Sequence, residues 1–224
     1  MRLGTSTPLT HSGPADWARK HRSLGLGAIN FHLTCEDDPH LAESFLREAE
    51  KQDTAMAAVV KLPAETVEAL CANHRELYPV NYNCPRQISV SGLSSEMTAF
   101  SAEVKAAGGR ALPLKVKGAF HSPFMADAAK AFAEDLAKTE MNPPAILVYS
   151  DVTAEEYSGD PAYLLAKQIA SPVRWEALVR NLIAAGVDTF IEIGPGKTLT
   201  NMITKIDPAV KAVPYTAFLE DTVC

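Results

Sequence analysis

Two residues in this chain have the type and setting for acyl-transfer chemistry. His121 lies in Gly118-Ala119-Phe120-His121-Ser122-Pro123-Phe124-Met125, and Ser23 lies in His21-Arg22-Ser23-Leu24-Gly25. A histidine can take a proton from a hydroxyl near neutral pH, and the deprotonated oxygen can then attack a carbonyl. Serine nucleophiles are usually exposed on a sharp strand-turn-helix bend written G-x-S-x-G. Here His21 stands at the first glycine and Arg22 precedes the serine, so the match is partial. A lone histidine is as compatible with capping or packing as with catalysis. Ser122, next to His121, reads as a helix cap, because neighbouring side chains at a helix start diverge.

His121 sits between a β-patterned segment, Arg110 to Val116, and an alanine-rich helical one, Pro123 to Lys138. Such a junction is where α/β folds collect reactive groups, since its loop is free of packing duty while the sheet holds it. Upstream, a strand is expected from Ala55 to Leu62 and a helix from Pro63 to His74. Strands Tyr78 to Asn83 and Gln87 to Ser91 flank Cys84-Pro85-Arg86, and a helix Ser94 to Ala107 follows, with Ser94 as N-cap and Gly108-Gly109 as stop. That order, β-α-β-β-α-β over residues 54–117, predicts a ferredoxin-like subdomain. Downstream, over 118–224, the pattern is doubly wound α/β: a strand Ala145 to Ser150, helices Pro161 to Ile169 and Val173 to Ala185, a strand Thr189 to Ile193 and a helix Lys197 to Ile206. Residues 1–53 show only one helical stripe, Leu41 to Lys51, and no strong strand.

Composition narrows the function classes. A chain of 224 residues with 47% hydrophobic content can bury one large core or a core with a satellite. A formal net charge of -6 and the lack of a Lys/Arg cluster with interleaved aromatics argue against a nucleic-acid surface. No apolar run approaches the roughly 18 residues of a membrane span, and Met1 to Lys20 carries no apolar signal core, so a cytoplasmic protein is expected. Cys35, Cys71, Cys84 and Cys224 form no C-x-x-C pair, which suits free thiols better than disulfides or a zinc site; no metal or cofactor is expected. Gly194-Pro195-Gly196-Lys197-Thr198 fails the phosphate-loop spacing, because Ile191 stands where its first glycine belongs, and reads as a tight strand-to-helix turn. Pro172 in Gln168-Ile169-Ala170-Ser171-Pro172-Val173-Arg174-Trp175 separates two helices, with Trp175 packing inward and Arg174 solvated or paired.

Four stretches in register resemble the malonyl-CoA:acyl carrier protein transacylase family: Asn81 to Gln87, Gly118 to Pro123, Gln168 to Trp175 and Glu192 to Lys197, within residues 52–212. The resemblance implies an α/β-hydrolase-like large subdomain with the ferredoxin-like one inserted, and an active site between them. It also implies a ping-pong transfer of malonyl from malonyl-CoA, through a serine ester, to the phosphopantetheine thiol of acyl carrier protein. By it, Ser23 is the nucleophile, His121 the base, and Gln168 the residue whose backbone carbonyl orients that base. Phe120 matches the form used for malonyl, its ring excluding an added methyl, and Asn81 and Asn83 fall on the substrate-facing wall. The departures precede residue 52: the F-P-G-Q-G strand is absent, the elbow is incomplete, and Ala42 stands where the family places its malonate-binding arginine. A binding module for carrier protein or a CoA-like ligand, without turnover, is the alternative.

Overall fold

The computed structural model describes residues 28–29, 51–116, 118–141, 144, 146–157, 160–194 and 196–222. The expected helix Leu41 to Lys51 falls largely outside them, as does Ser23.

After a two-residue strand β1 (Ala28–Ile29), the chain builds β2 (Thr54–Val60), α1 (Ala64–Ala72), β3 (Leu77–Cys84), β4 (Gln87–Leu93), α2 (Ser94–Ala106) and β5 (Arg110–Pro113). The four longer strands form one sheet in the order β3-β4-β2-β5, every pair antiparallel. Strand pleating sends alternate residues to opposite faces. Ile88 and Val90 therefore join Val59, Val67, Phe100 and Val104 in a core between sheet and helices, while Ser89 and Ser91 are turned to the other face, where Met56 and Tyr78 pair with Ser91 across the strands.

Ser94 is not the N-cap of α2. Leu93 holds that position, with no side-chain cap bond. β4 runs into the helix without a linker, so Ser94 is already helical and its N–H goes to the Asp53 carbonyl at 2.9 Å. Gly92 sits where β4 passes closest to the turn before β3. A Cβ there would lie 1.9 Å from the Glu76 carbonyl oxygen and 2.7 Å from a Leu77 methyl. Gly92→Ala is expected to destabilise the fold by about 3 kcal/mol, because backbone must move to admit the methyl. That should lower the melting temperature by roughly 6–12 °C in a thermal scan.

The second half begins with a 3-10 turn, Pro123–Met125, and continues with α3 (Ala126–Leu136), β6 (Leu147–Val148), α4 (Pro161–Gln168), α5 (Trp175–Ala184), β7 (Thr189–Glu192), α6 (Thr198–Ile206), β8 (Lys211–Pro214) and α7 (Tyr215–Thr222). β6 pairs in parallel with β1, and β7 with β8. The N-terminal part thus does supply a strand, and β8 and α7 extend the α/β pattern beyond what periodicity showed. Trp175, Leu178, Val179, Leu182, Phe190 and Ile203 make the core here, and Trp175 packs inward as expected while Arg174 is exposed.

The two cores are joined through β3. Cys84, at its end, belongs to the second core. Along its edge, the Tyr82 N–H donates to the Val173 carbonyl at 2.9 Å and the Val173 N–H to the Val80 carbonyl at 2.8 Å. The chain after Pro172 is therefore clamped to the four-stranded sheet. No helix among the described residues is long and apolar enough to cross a membrane.

Candidate functional site

His121 occupies a turn between β5 and the 3-10 helix, and its backbone is left-handed, with φ of 61°. L-residues other than Gly, Asn and Asp adopt that conformation at a cost of about 1–2 kcal/mol, so the surroundings must hold it. The residue is half-buried. Nδ1 lies 3.1 Å from the Gln168 carbonyl oxygen. A carbonyl only accepts, so Nδ1 carries a proton, which in the neutral ring leaves the lone pair on Nε2. Gln168 ends α4, and its carbonyl has no i+4 donor because Pro172 lacks an N–H, so beside a long 3.4 Å bond from the Ser171 N–H it can accept from the ring. His121 and Gln168 are thus brought together across 47 residues of sequence.

Two serines brace the turn. Ser122, buried, donates through Oγ to the Ala119 carbonyl and accepts from the Phe124 N–H at 3.3 Å, which makes it the cap of the 3-10 turn, as its position suggested. Ser91, with no exposed surface, donates from Oγ to the Phe120 carbonyl at 3.2 Å. Sequence reasoning missed Ser91, although Ile88-Ser89-Val90-Ser91 carried a signal: hydroxyls alternating with core residues mark a strand face that serves polar partners. Phe120 is half-buried beside His121.

Asn81 lies on β3 at the bridge to Val173, and the Asn83 amide donates to Ser89 Oγ at 3.3 Å. Both are half-buried. Beside the His121 turn a cavity of about 290 Å³ is bounded by Thr54, Glu76, Tyr78, Ala119, Phe124 and Met125, and Tyr78 and Phe124 meet edge to face with centroids 6.1 Å apart. At the opposite end of the sheet a wider concavity of about 530 Å³ is lined by Lys61, Arg86, Gln87 and Lys205.

The second unforeseen residue is Glu192, the last of β7. Its carboxylate, buried, accepts from the Leu199 N–H at 3.2 Å, the Thr200 N–H at 2.8 Å and the Thr200 hydroxyl at 2.7 Å. It therefore caps α6 from inside, where N–H groups are unpartnered and the helix dipole favours negative charge. The tight turn at Gly194 and Gly196, both at positive φ, brings strand end and helix start together for this.

Cys71 and Cys84 are buried free thiols, and Cys35 and Cys224 lie outside the described residues. Burial first, and the Glu68 carboxylate second, push the Cys71 thiol from 9.0 up to about 12. Burial also raises Cys84, Tyr157 and Tyr82, the last helped by its 2.7 Å bond to Glu68. Each stays neutral in the fold while its unfolded counterpart ionises, so the unfolded chain binds fewer protons at high pH and stability falls as pH rises. For Cys71 the contribution is intact below pH 9.0 and is lost progressively towards about 12. Urea midpoints taken from pH 8 upward should fall across this window, and Cys71→Ala should flatten the slope. No group of three or more metal-ligating side chains occurs among the described residues.

Known proteins resemble this chain in sequence and in fold. Residues 44–214 match the model of the acyl transferase domain family. The malonyl CoA-acyl carrier protein transacylase of Bacillus subtilis is 37% identical over 166 residues, which are 71% of this chain and 52% of that protein. The chain thus spans about half the length of that relative. The crystal structure of malonyl CoA-acyl carrier protein transacylase from Clostridium perfringens superposes with a TM-score of 0.80 at 27% identity, covering 91% of this chain and 74% of that one. A malonyl-transacylase solved in complex with its type II PKS acyl-carrier protein superposes at 0.77 with 25% identity, covering 88% and 71%. A histidine oriented by a backbone carbonyl on a strand-to-helix turn, in a chain matched by that family's model over most of its length, makes this protein a member of the acyl transferase domain family.

Proposed function

We propose that this chain transfers malonyl from malonyl-CoA to the phosphopantetheine thiol of an acyl carrier protein, in fatty acid or polyketide synthesis in the cytoplasm. The observation that carries this reading is the His121 ring, whose Nδ1 proton is committed to the Gln168 carbonyl so that Nε2 is basic. In the first half-reaction Nε2 takes the proton of Ser23 Oγ as that oxygen attacks the thioester carbonyl. The carbon–sulfur bond breaks, and CoA leaves as its thiol with the proton returned by His121. In the second, the carrier thiol gives its proton to Nε2, sulfur attacks the ester carbonyl, and Ser23 recovers its proton as the carbon–oxygen bond breaks. A backbone carbonyl replaces the usual triad carboxylate, orienting the base without adding a charge.

The architecture supports this reading. The strand order β3-β4-β2-β5 and its antiparallel pairing support reading residues 54–117 as a ferredoxin-like subdomain inserted into an α/β-hydrolase-like large subdomain, with residues 118–224 as the C-terminal part of the latter. Asn81 and Asn83 stand on the wall between them and offer amides to the acyl thioester or pantetheine.

Intact-mass spectrometry after brief incubation with malonyl-CoA tests the reading: an ester mapping to Ser23 is expected. Phe120 should set acyl choice, since it matches the form the family uses for malonyl in the residue before the base. Phe120→Ala is expected to raise the methylmalonyl-to-malonyl ratio of kcat/KM by roughly 10-fold, the worth of one methyl group in a pocket. An unchanged ratio would remove Phe120 from specificity. Ala42, at the place of the family's malonate-binding arginine, favours a second reading: a binding module for carrier protein or a CoA-like ligand. Its signature is folded protein that binds either partner and forms no ester.

A further inference from the structure

We propose that Ser91 is the positioning residue that keeps His121 in its left-handed conformation, and with it the direction of the imidazole. This rests on the base role given to His121 above. The turn centres on Phe120 and His121, with positive φ at the second of them only, which is the pattern of a type II turn. Type I and type II turns differ by a flip of the central peptide, and the carbonyl of that peptide here belongs to Phe120. In type I the third residue returns to negative φ, where a histidine is unstrained, so His121 left alone would favour the flip. Ser91 Oγ, donating to the Phe120 carbonyl at 3.2 Å, opposes it.

The contact is specific. Ser91 is fully buried in the middle of β4, between Met56 and Tyr78 on neighbouring strands, so its hydroxyl has a fixed origin. The carbonyl before it, of Ala119, is taken by Ser122 Oγ. His121 is thus held from two sides: its ring by Gln168, at the end of α4, and the peptide before it by a strand of the four-stranded sheet. Loss of the Ser91 donor frees the peptide to flip, and the Cα–Cβ bond swings the ring off the Gln168 carbonyl.

The test reads the ring itself. In protein labelled with [15N]histidine, the Nδ1 proton of His121 should appear as a downfield, slowly exchanging signal, identified by its absence in His121→Ala. Ser91→Ala should abolish that signal and lower kcat about 10-fold, with KM for malonyl-CoA unchanged. Ser91→Cys, nearly isosteric with a weaker donor, should fall between the two and keeps the test open should the alanine variant fold poorly. An Nδ1 signal unaltered in both variants would overturn the proposal whatever happens to kcat. Loss of the signal in a protein that transfers no malonyl would uphold the positioning role while sinking the transfer reading.

Discussion

Replacing His121 with alanine is expected to lower the proposed malonyl transfer by about 10³-fold and to abolish the serine ester expected by intact mass. The size follows from the role proposed for the imidazole in each half-reaction. In that role it takes a proton from a hydroxyl whose own acidity is far too weak at neutral pH, and later from a thiol. Without it, both nucleophiles must ionise unaided. Folding should be little affected. The variant loses the 3.1 Å bond from Nδ1 to the Gln168 carbonyl, worth about 1 kcal/mol, and keeps a left-handed non-glycine residue in the turn. A melting curve close to that of the parent, beside a lost ester, would separate catalysis from stability. An ester formed at the parent's rate would show that some other group activates the serine and would strip His121 of its role.

The second large effect is on stability. Glu192→Ala should cost about 3 kcal/mol, lowering the melting temperature by roughly 6–12 °C. Three donors at the start of α6 lose their acceptor at once: the N–H groups of Leu199 and Thr200 and the Thr200 hydroxyl. Water cannot replace the carboxylate freely, because Glu192 is only 6% exposed and Thr200 only 9%. Glu192→Gln separates the contributions. It keeps one oxygen acceptor and nearly the same volume but turns a donor towards N–H groups, so it should recover about half of the loss at most. A variant as stable as the parent would mean that α6 is anchored by its apolar side alone, through Ile203 and Ile206.

Much of the architecture was legible locally. The β-α-β-β-α-β order between Thr54 and Pro113 follows from apolar periodicity and from Pro63, Pro85 and Gly108, whose conformational demands mark element boundaries without reference to distant residues. His121 was legible as a candidate because a strand pattern ends and a helix pattern begins around it. Ser94 was misread for a reason equally local: Ser is a good N-cap, yet the strand before it continues directly into the helix and shifts the cap to Leu93. β8 escaped notice because four residues, Lys211–Pro214, carry too short a pattern to be told from a loop until β7 is beside them. Ser91 and Glu192 were visible as polar residues in apolar strands, but their partners lie 29 and 8 residues away, and nothing in a one-dimensional pattern identifies a hydrogen-bond acceptor.

The sequence by itself thus determined most of the elements and singled out the histidine, since each depends on periodicity or on the backbone preferences of single residues. Only the tertiary structure decided what that histidine is. Its left-handed backbone, the proton on Nδ1 and the direction of its ring are set by a carbonyl from the end of α4 and a hydroxyl from the middle of β4. Neither group differs in sequence from dozens of others of its kind. Their effect comes from distance and orientation, which exist only once β3, Val173 and the turn at Phe120 have brought the two halves of the chain together.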